Sequence, residues 1–451
     1  MTRREVVGAA SAAMIVARHV LGGPGYQAPS DTLRIAGVGI GGMGRRYLAG
    51  CAAERITVLC DVDHDFAAPV FRKYDGAKIY RDYRVMFDKE ANNIDAVIIG
   101  TPDHSHAAVT MRALKLGKHV YCAKPLTHNL YEAQMVRETA AAAKVSTQMS
   151  VQSCMSPEAC ATTEILMSGV LGPIREVHIW TPHPIYPAGR VRPTDTPPVP
   201  KGLDWDLWIG PAPYRPYHPA YHPWIWRAYW DFANGTIGDM MNHALHMFFK
   251  PLQLENPPMV HASRTTMHGG YFEMRSDGKE TLPLRVPTPE SESYSCQITW
   301  DYPSRGDLAP LRLHWHDGGM RPPRPLELGV DKAMPAAGVL FVGDKGKLMA
   351  DYSGGRNWLL PEDRFAGFTA PKVLTPVPDH YKEWTTACKA GTQPSCNFAF
   401  GSRMTEVALL GALAVRTEKL LLWDSAARRI TNVPQANALV NPPYRSGWTL
   451  F

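Results

Sequence analysis

A glycine pattern near the start of the chain constrains the fold more than any other feature of the sequence. The pattern is G-x-G-x-x-G and comprises Gly39, Gly41 and Gly44. It directly follows an apolar run at residues 33–38 and precedes a helical pattern. In that context the glycines permit a tight turn, close approach of a pyrophosphate, and close packing of the helix on the strand. The pattern predicts that residues 39–44, which include Gly42 and Met43, bind a dinucleotide at the helix N-terminus.

An acidic residue follows at the distance that this kind of site requires. Asp61 lies 20 residues after Gly41, at the end of the second predicted strand. A carboxylate there can accept hydrogen bonds from the adenosine ribose hydroxyls and would repel a 2′-phosphate. Asp61 therefore favours NAD over NADP, although Arg45 and Arg46 nearby leave NADP open.

Short apolar runs alternate with helical patterns through the first third of the chain. Continuous apolar runs of this length are typical of buried parallel strands. The predicted strands are residues 33–38, 56–60, 96–99, 119–122 and 145–149, and the predicted helices are residues 43–52, 106–116 and 131–143. This succession predicts a Rossmann domain over residues 31–152.

The remaining chain has a different pattern. Alternating strands are predicted at residues 174–180, 293–301, 311–316 and 339–342, which indicates a large, mostly antiparallel open sheet. Residues 182–232, rich in Pro and aromatic residues, predict a long loop over a surface or cleft. We therefore predict an α/β protein with a second domain over residues 153–451 for substrate binding and oligomerisation. An exposed sheet face must be covered, so we expect a homo-oligomer.

The N-terminus indicates where the protein is located, and the charge balance indicates which class of ligand it binds. Arg3 and Arg4 precede an apolar stretch at residues 6–17 that is too short to span a bilayer, so residues 1–30 resemble a twin-arginine signal and predict export to the periplasm or beyond. No other stretch predicts a membrane span. The net charge of +6 comes without a long basic run, which argues against nucleic acid and favours a small-molecule ligand.

Three further motifs, taken with the glycines and Asp61, carry a family resemblance. They are T-P-D-H-S-H at residues 101–106, A-K-P at residues 123–125, and D-x-x-x-H at residues 239–243. Together they resemble the Gfo/Idh/MocA family, named for glucose-fructose oxidoreductase and inositol dehydrogenase. The resemblance covers nearly the whole chain. It implies a Rossmann domain followed by an α/β domain, a nicotinamide cofactor, and usually a sugar or cyclitol substrate.

The same motifs supply the candidate catalytic residues. Lys124 follows the fourth predicted strand, at the carboxyl end of the parallel sheet, where ligands collect. The resemblance implies that this lysine binds both the reacting hydroxyl and the cofactor. Asp239 and His243 have i, i+4 spacing, so on a helix they share a face and the carboxylate can orient the imidazole as a general base.

Residues 101–106 follow the third predicted strand, residues 96–99, and two compatible interpretations of this segment are possible. The resemblance implies that this segment meets the nicotinamide ribose, through Thr101, Pro102, His104 and His106. A helix cap made by Thr101 or Asp103 is the plainer interpretation.

Several features depart from the family pattern or stand outside it. Met241 stands where the family has glycine and His246 where it has an acid, and Ser150-Val151-Gln152-Ser153 replaces a G-N-Q-G-type stretch, so the usual substrate is in doubt. One or two aromatic residues of the long loop are expected to stack on a sugar ring. The candidates are Trp205, Trp208, Tyr214, Tyr217, Tyr221, Trp224, Trp226, Tyr229 and Trp230.

No metal site is predicted. The eight cysteines form no CxxC pair. His314 and His316 alternate, so both point to one face of a predicted strand, but no third ligand has a recognisable spacing.

The sequence thus predicts an NAD(P)-dependent oxidoreductase that transfers a hydride between a ring carbon of a sugar, cyclitol or glycoside and a tightly bound nicotinamide. One alternative is an NAD-dependent glycoside hydrolase that works by transient oxidation, elimination, water addition and re-reduction. A second is a non-catalytic, dinucleotide-binding sensor.

Overall fold

Two β-sheets organise the computed structural model, which describes residues 31–265 and 289–451. The first sheet is parallel and lies in an N-terminal unit, and the second is larger and mixed. The export signal predicted at residues 1–30 lies outside the described residues and stays a prediction.

The first sheet has the strand order β3-β2-β1-β4-β5-β6, with all of its pairs parallel. Its strands are β1 (Arg34–Val38), β2 (Arg55–Cys60), β3 (Lys78–Tyr80), β4 (Ala96–Ile99), β5 (His119–Cys122) and β6 (Thr147–Met149). The order reverses between β1 and β4, and ligands of open α/β sheets bind at such a reversal, outside the carboxyl ends of the strands. The Rossmann topology is confirmed.

Five helices connect and cover these strands. They are α1 (Gly44–Gly50), α2 (His64–Lys73), α3 (Tyr83–Glu90), α4 (Asp103–Lys115) and α5 (Leu130–Ala143). The five predicted strands are found within two residues at each end. The prediction omitted β3, α2 and α3. Strand β3 was missed because it has only three residues, none of them buried, and therefore gives no apolar run.

The second sheet has nine strands in the order β13-β12-β11-β7-β10-β9-β8-β14-β15. Only the pairing of β10 with β7 is parallel. The strands are β7 (Ile174–Trp180), β8 (Met259–Arg264), β9 (Cys296–Tyr302), β10 (Leu311–His316), β11 (Gly338–Gly343), β12 (Gly346–Ala350), β13 (Asn357–Leu360), β14 (Leu421–Asp424) and β15 (Arg429–Ile430). The mostly antiparallel sheet is confirmed, and β9 begins three residues later than predicted.

The helices of the second unit include two that return to the first. Among its described residues the helices are α6 (Pro157–Met167), α7 (Trp205–Ile209), α8 (Gly235–Met240), α9 (Asn242–Leu245), α10 (His380–Ala390), α11 (Phe398–Thr417) and α12 (Asn437–Val440). Helix α10 buries Trp384 and Cys388 in the core of the first unit. Helix α11 packs against α5 of the first unit and against β8 and β9 of the second. The two units therefore share one continuous core.

Helix α11 is apolar because it is enclosed. The helix has 20 residues and is long and apolar enough to cross a membrane, but most of it is buried inside the protein. At its polar edge Arg137 of α5 pairs with Glu406 at 2.6 Å. Within the described part of the chain, this core helix is the one segment with such a composition.

The long loop of residues 182–232 has a core of its own. Apart from α7 and one 3₁₀ turn at Ile225–Ala228 it is irregular, as predicted. Trp205 and Trp208 stack with their ring centroids 4.6 Å apart, and Tyr221 packs edge-on against Phe232. Aromatic packing fixes this loop over the edge of the first sheet.

We expect Gly411→Ala to lower the free energy of unfolding by about 1–3 kcal/mol, which is typical of overpacking. A Cβ at Gly411 would lie 2.5 Å from Cζ2 of the fully buried Trp300. Urea unfolding measures the change, and Gly76→Ala is the control because its Cβ meets nothing within 4 Å. Trp300→Phe should relieve the clash, so the double variant should lose less than the sum of the single losses. Unchanged stability of Gly411→Ala would contradict this packing.

Candidate active site

A cleft of about 670 Å³ opens at the strand reversal of the first sheet. Its walls come from the glycine loop, the carboxyl ends of the parallel strands, the long loop, and α8 and α9. Ten of the predicted site residues line it: Gly39, Gly42, Met43, Asp61, Thr101, Pro102, His106, Lys124, Asp239 and His243. Its size is that of an ordinary small-molecule site.

The glycine loop is sterically restricted to glycine at three positions. Gly39 has φ +73°, and a Cβ there would lie 2.5 Å from the backbone nitrogen of Thr101. A Cβ at Gly44 would overlap the carbonyl oxygen of Gly39, and one at Gly41 would overlap the ring of Phe66. Gly41 and Gly44 therefore act through packing and do not line the cleft. At Gly42 a Cβ would meet nothing within 4 Å, so this residue leaves space on the cleft side.

Asp61 fixes the shape of that loop. Its Oδ2 accepts hydrogen bonds from the N–H groups of Ile40 at 2.8 Å and Gly41 at 2.9 Å, and its Oδ1 accepts one from Asp63 at 3.0 Å. Burial raises the pKa of Asp61, although the three N–H donors oppose that rise. A carboxylate has about four acceptor positions, so about one remains for a ribose hydroxyl.

The residues present fit a dinucleotide. Thr101 Oγ1 is buried with no hydrogen-bond partner among the described residues, and Thr101 lines the cleft. A buried hydroxyl without a partner is costly unless a ligand satisfies it. Thr101, Gly42 and Asp61 all line the same cleft.

The two histidines of the T-P-D-H-S-H segment have different positions. The Nδ1 and Nε2 atoms of His106 lie 2.7 and 2.8 Å from the carbonyl oxygens of Pro125 and Thr101, so the ring joins two strand-end loops. The ring nitrogens of His104 lie 3.3 and 2.9 Å from the carbonyl oxygens of Phe232 and Trp208. His104 thus fastens the long loop, and the structure does not bring it to the cleft as the resemblance implied.

Lys124 and Asp239 form an ion pair across the cleft. The Nζ atom of Lys124 contacts both the carboxylate Oδ1 and the backbone carbonyl of Asp239. The backbone N–H of Lys124 donates to Ser150 Oγ at 3.0 Å. Burial alone would raise the pKa of Asp239, but the charges of Lys124 and Arg227 hold it below its usual range. Asp239 is therefore a carboxylate that anchors the ammonium group.

His243 has no hydrogen bond to any residue that the structure describes, and its ring lines the cleft. Although α8 and α9 are separate, the i→i−4 bonds of Met241 to Ile237 and of Leu245 to Met241 continue the turn between them. The predicted orientation of His243 by Asp239 is corrected, because the carboxylate is bound to Lys124. Burial and the nearby Lys124 lower the pKa of His243 to about 3. At neutral pH it is a neutral imidazole with a free lone pair.

The two departures from the family helix lie behind the site. Met241 is fully buried in the core. His246 is buried with Nε2 3.0 Å from Ser153 Oγ. Neither lines the cleft, so both substitutions alter the packing beneath the helix rather than its substrate face.

The long loop contributes more to the cleft than the sequence indicated. Trp208, Trp224 and Trp226 line it, while the other candidate aromatic residues do not. Arg227 also lines it, with its guanidinium carbon 4.5 and 4.2 Å from the ring centroids of Trp224 and Trp226. His183, His222 and Arg227 also line the cleft and were not predicted, because the loop has no periodicity that indicates side-chain directions.

A buried acid supports the helix that carries Asp239. Glu292 accepts the N–H of Thr236 at the start of α8 and, at 2.8 Å, the O–H of Tyr186. Gly235, with φ +64°, gives the chain room beside this carboxyl. Burial raises the pKa of Glu292 to about 8.

Comparison with known families gives two matches. The model described as the oxidoreductase family, NAD-binding Rossmann fold (GFO_IDH_MocA) matches residues 33–151. The model described as the C-terminal α/β domain of the oxidoreductase family matches residues 183–256. The first unit is therefore an NAD-binding Rossmann domain.

Curated proteins of similar sequence include several inositol 2-dehydrogenases. The inositol 2-dehydrogenase of Rhodococcus erythropolis is 30% identical over 166 residues, which cover 36% of this chain and 47% of that relative. The chain spans less than half the length of such curated relatives.

Two solved structures resemble the whole fold. An inositol dehydrogenase homolog from Azotobacter vinelandii, complexed with NAD⁺, has a TM-score of 0.57 at 16% identity and covers 87% of this chain and 97% of its own. The WlbA dehydrogenase from Bordetella pertussis, in complex with NADH and UDP-GlcNAcA, has a TM-score of 0.57 at 13% identity and covers 87% and 99%. At these identities the likeness shows the fold.

Gly44→Ala should weaken NAD binding at least about tenfold, equal to about 1.4 kcal/mol, because the new Cβ forces the carbonyl of Gly39 and the loop to move. Fluorescence titration with NAD measures the effect. Gly42→Ala is the matched variant: it should leave the unfolding free energy of the unliganded protein unchanged, because its Cβ enters open space. Wild-type affinity in Gly44→Ala would refute this account of the loop.

Glu292→Gln should stabilise the protein increasingly as the pH rises from 5 to 9. The pKa of Glu292 is about 8 in the folded protein, above its ordinary 4.5, so its contribution to stability is present below pH 4.5 and lost as the pH rises through 8. Glutamine copies the protonated form, and its advantage by pH 9 should be on the order of 5 kcal/mol.

Urea unfolding at several pH values tests this expectation. Glu327→Gln is the control, because the hydrogen bond from Lys347 lowers the pKa of Glu327, the direction opposite to the shift of Glu292. A pH-independent difference for Glu292→Gln would contradict the assignment.

Proposed function

Because the chain belongs to the Gfo/Idh/MocA family of oxidoreductases, we propose that it is an NAD-dependent oxidoreductase that oxidises a ring hydroxyl of a sugar or cyclitol. One observation carries the proposal: the imidazole of His243, which has no hydrogen-bond partner among the described residues, lines the same cleft as the Lys124–Asp239 ion pair and the glycine loop. That set combines a proton acceptor and a cation beside a dinucleotide site.

The walls of the cleft support a carbohydrate or cyclitol as substrate. Trp208, Trp224 and Trp226 offer flat apolar faces on which the C–H face of a ring can stack. Arg227, Lys124 and Asp239 offer donors and acceptors for ring hydroxyls. The names of the relatives, inositol 2-dehydrogenases, point to the same substrate class.

In this mechanism the protein's own residues transfer the proton of the reacting hydroxyl. When bound, NAD supplies the acceptor for the hydride. His243 accepts the proton of the reacting hydroxyl on a ring nitrogen, which its low pKa leaves unprotonated at neutral pH. The ammonium of Lys124 stabilises negative charge as it develops on the hydroxyl oxygen. Asp239 positions that ammonium through two contacts, one of them from its backbone carbonyl. In the reverse direction protonated His243 returns the proton.

We expect His243→Gln to lower kcat by about 10²–10⁴, the usual contribution of a general base, while NAD affinity stays within a few-fold of wild type. The assay follows NADH absorbance with a panel of cyclitols, aldoses and methyl glycosides. His261→Gln, an exposed histidine on β8, is the control and should keep full activity. Retained turnover in His243→Gln would contradict its role as the base.

The same panel separates the alternatives. NADH that accumulates with substrate, with a primary isotope effect from deuterium at the oxidised carbon, would support the dehydrogenase. Aglycone release from glycosides without net NADH would instead support an NAD-dependent glycoside hydrolase. Ligand binding by the wild-type protein without any turnover would indicate a dinucleotide-binding sensor.

A further inference from the structure

A group of histidines lies on the second sheet, among residues that do not line the cleft. His178 belongs to β7, and His314 and His316 belong to β10. The two strands are parallel neighbours in a register that places His314 beside His178. Glu176, two residues before His178, shares its face because side chains alternate along a strand.

The donor atoms of three of these residues are close together. One ligand atom each from Glu176, His178 and His314 lie within 4.8 Å of one another. His178 Nε2 is 3.1 Å from Glu176 Oε2, and the rings of His178 and His314 stack with centroids 4.5 Å apart and planes 12° apart. Around a tetrahedral Zn²⁺ with bonds of about 2.0–2.1 Å, ligand atoms lie roughly 3.3 Å apart. The distance of 3.1 Å between His178 Nε2 and Glu176 Oε2 is already near that spacing, and binding requires the stacked rings to tilt so that both in-plane lone pairs meet one ion.

In His178 and His314 the ring nitrogen opposite the proposed ligand atom already contacts another side chain. His178 Nδ1 lies 3.3 Å from His316 Nε2, and His314 Nδ1 lies 3.0 Å from the hydroxyl of Thr299. Thr299 is on β9, directly opposite His314. Metal-binding histidines are usually held in this way through their second nitrogen, which fixes the ring and leaves the first nitrogen for the metal.

The donor set of the cluster suits a transition metal. Two imidazoles and one carboxylate select a transition metal over Mg²⁺ or Ca²⁺, which prefer oxygen ligands.

We infer that Glu176, His178 and His314 form a binding site for Zn²⁺ or a similar divalent transition metal that ties β7 to β10. The Glu176 side chain is 45% exposed, so the fourth position opens to solvent and the ion can enter from that side. The site is independent of the proposed redox reaction, because none of its ligands lines the cleft.

Calorimetric titration of the EDTA-treated, dialysed full-length protein with Zn²⁺ tests the site. We expect one tightly bound ion per chain and a higher Tm when it is bound. His178→Gln and His314→Gln should each weaken binding at least 100-fold, and Thr299→Val should weaken it about 10–100-fold through loss of the second-nitrogen contact. His261→Gln should bind as wild type does, since His261 is an exposed histidine of the same sheet outside the ligand set.

Near-UV circular dichroism and NAD binding check that each variant is folded. Co²⁺ in place of Zn²⁺ provides a readout on the wild-type protein alone, because tetrahedral nitrogen and oxygen ligands give intense visible absorption. Failure of the wild-type protein to bind Zn²⁺ would overturn the inference. So would unchanged binding in folded His178→Gln and His314→Gln, or loss of binding in His261→Gln.

Discussion

The ion pair between Lys124 and Asp239 is the interaction on which the arrangement of the cleft depends. Lys124 lies two residues beyond β5 in the first unit, and Asp239 lies on α8 in the second. The two side chains are 15% and 24% exposed, and a partly buried pair of this kind is screened by salt much less than a surface pair. The pair thus fixes the separation of the units at the point where chemistry is proposed. It also occupies the carboxylate of Asp239, which leaves the imidazole of His243 free for a substrate.

The shared core around α11 makes that contact possible. This helix packs against α5 of the first unit and against strands of the second, while α10 buries Trp384 in the first unit. A cleft whose walls are already packed in this way needs less ordering when a ligand binds. The long loop is held through its own aromatic cluster and through His104, which lies between the carbonyls of Phe232 and Trp208. Helix packing and loop packing together define the walls.

The sequence predicted the first unit well because its signals are local. The glycine pattern, the apolar run before it and Asp61 lie within about 30 residues of one another. Each further apolar run is a short continuous segment that can be recognised by itself. The second sheet was predicted less completely: β13, β14 and β15 have only two to four residues, and β8 pairs with β9 and β14, which are distant in the chain. The candidate catalytic residues were found by motif, and the structure places Lys124, Asp239 and His243 in one cleft. Arg227 and the three cleft tryptophans could not be singled out, because an aperiodic loop gives no side-chain direction.

The sequence by itself determined the Rossmann topology, the position of the dinucleotide loop and the residue types available for proton transfer, because each depends on neighbours along the chain. Tertiary structure decided which groups meet. It paired Asp239 with Lys124 instead of His243, turned His104 toward the long loop, and placed His178 beside His316 across 138 residues of sequence. Such contacts depend on strand register and on how helices pack between units, and those follow from the burial of many distant side chains at once.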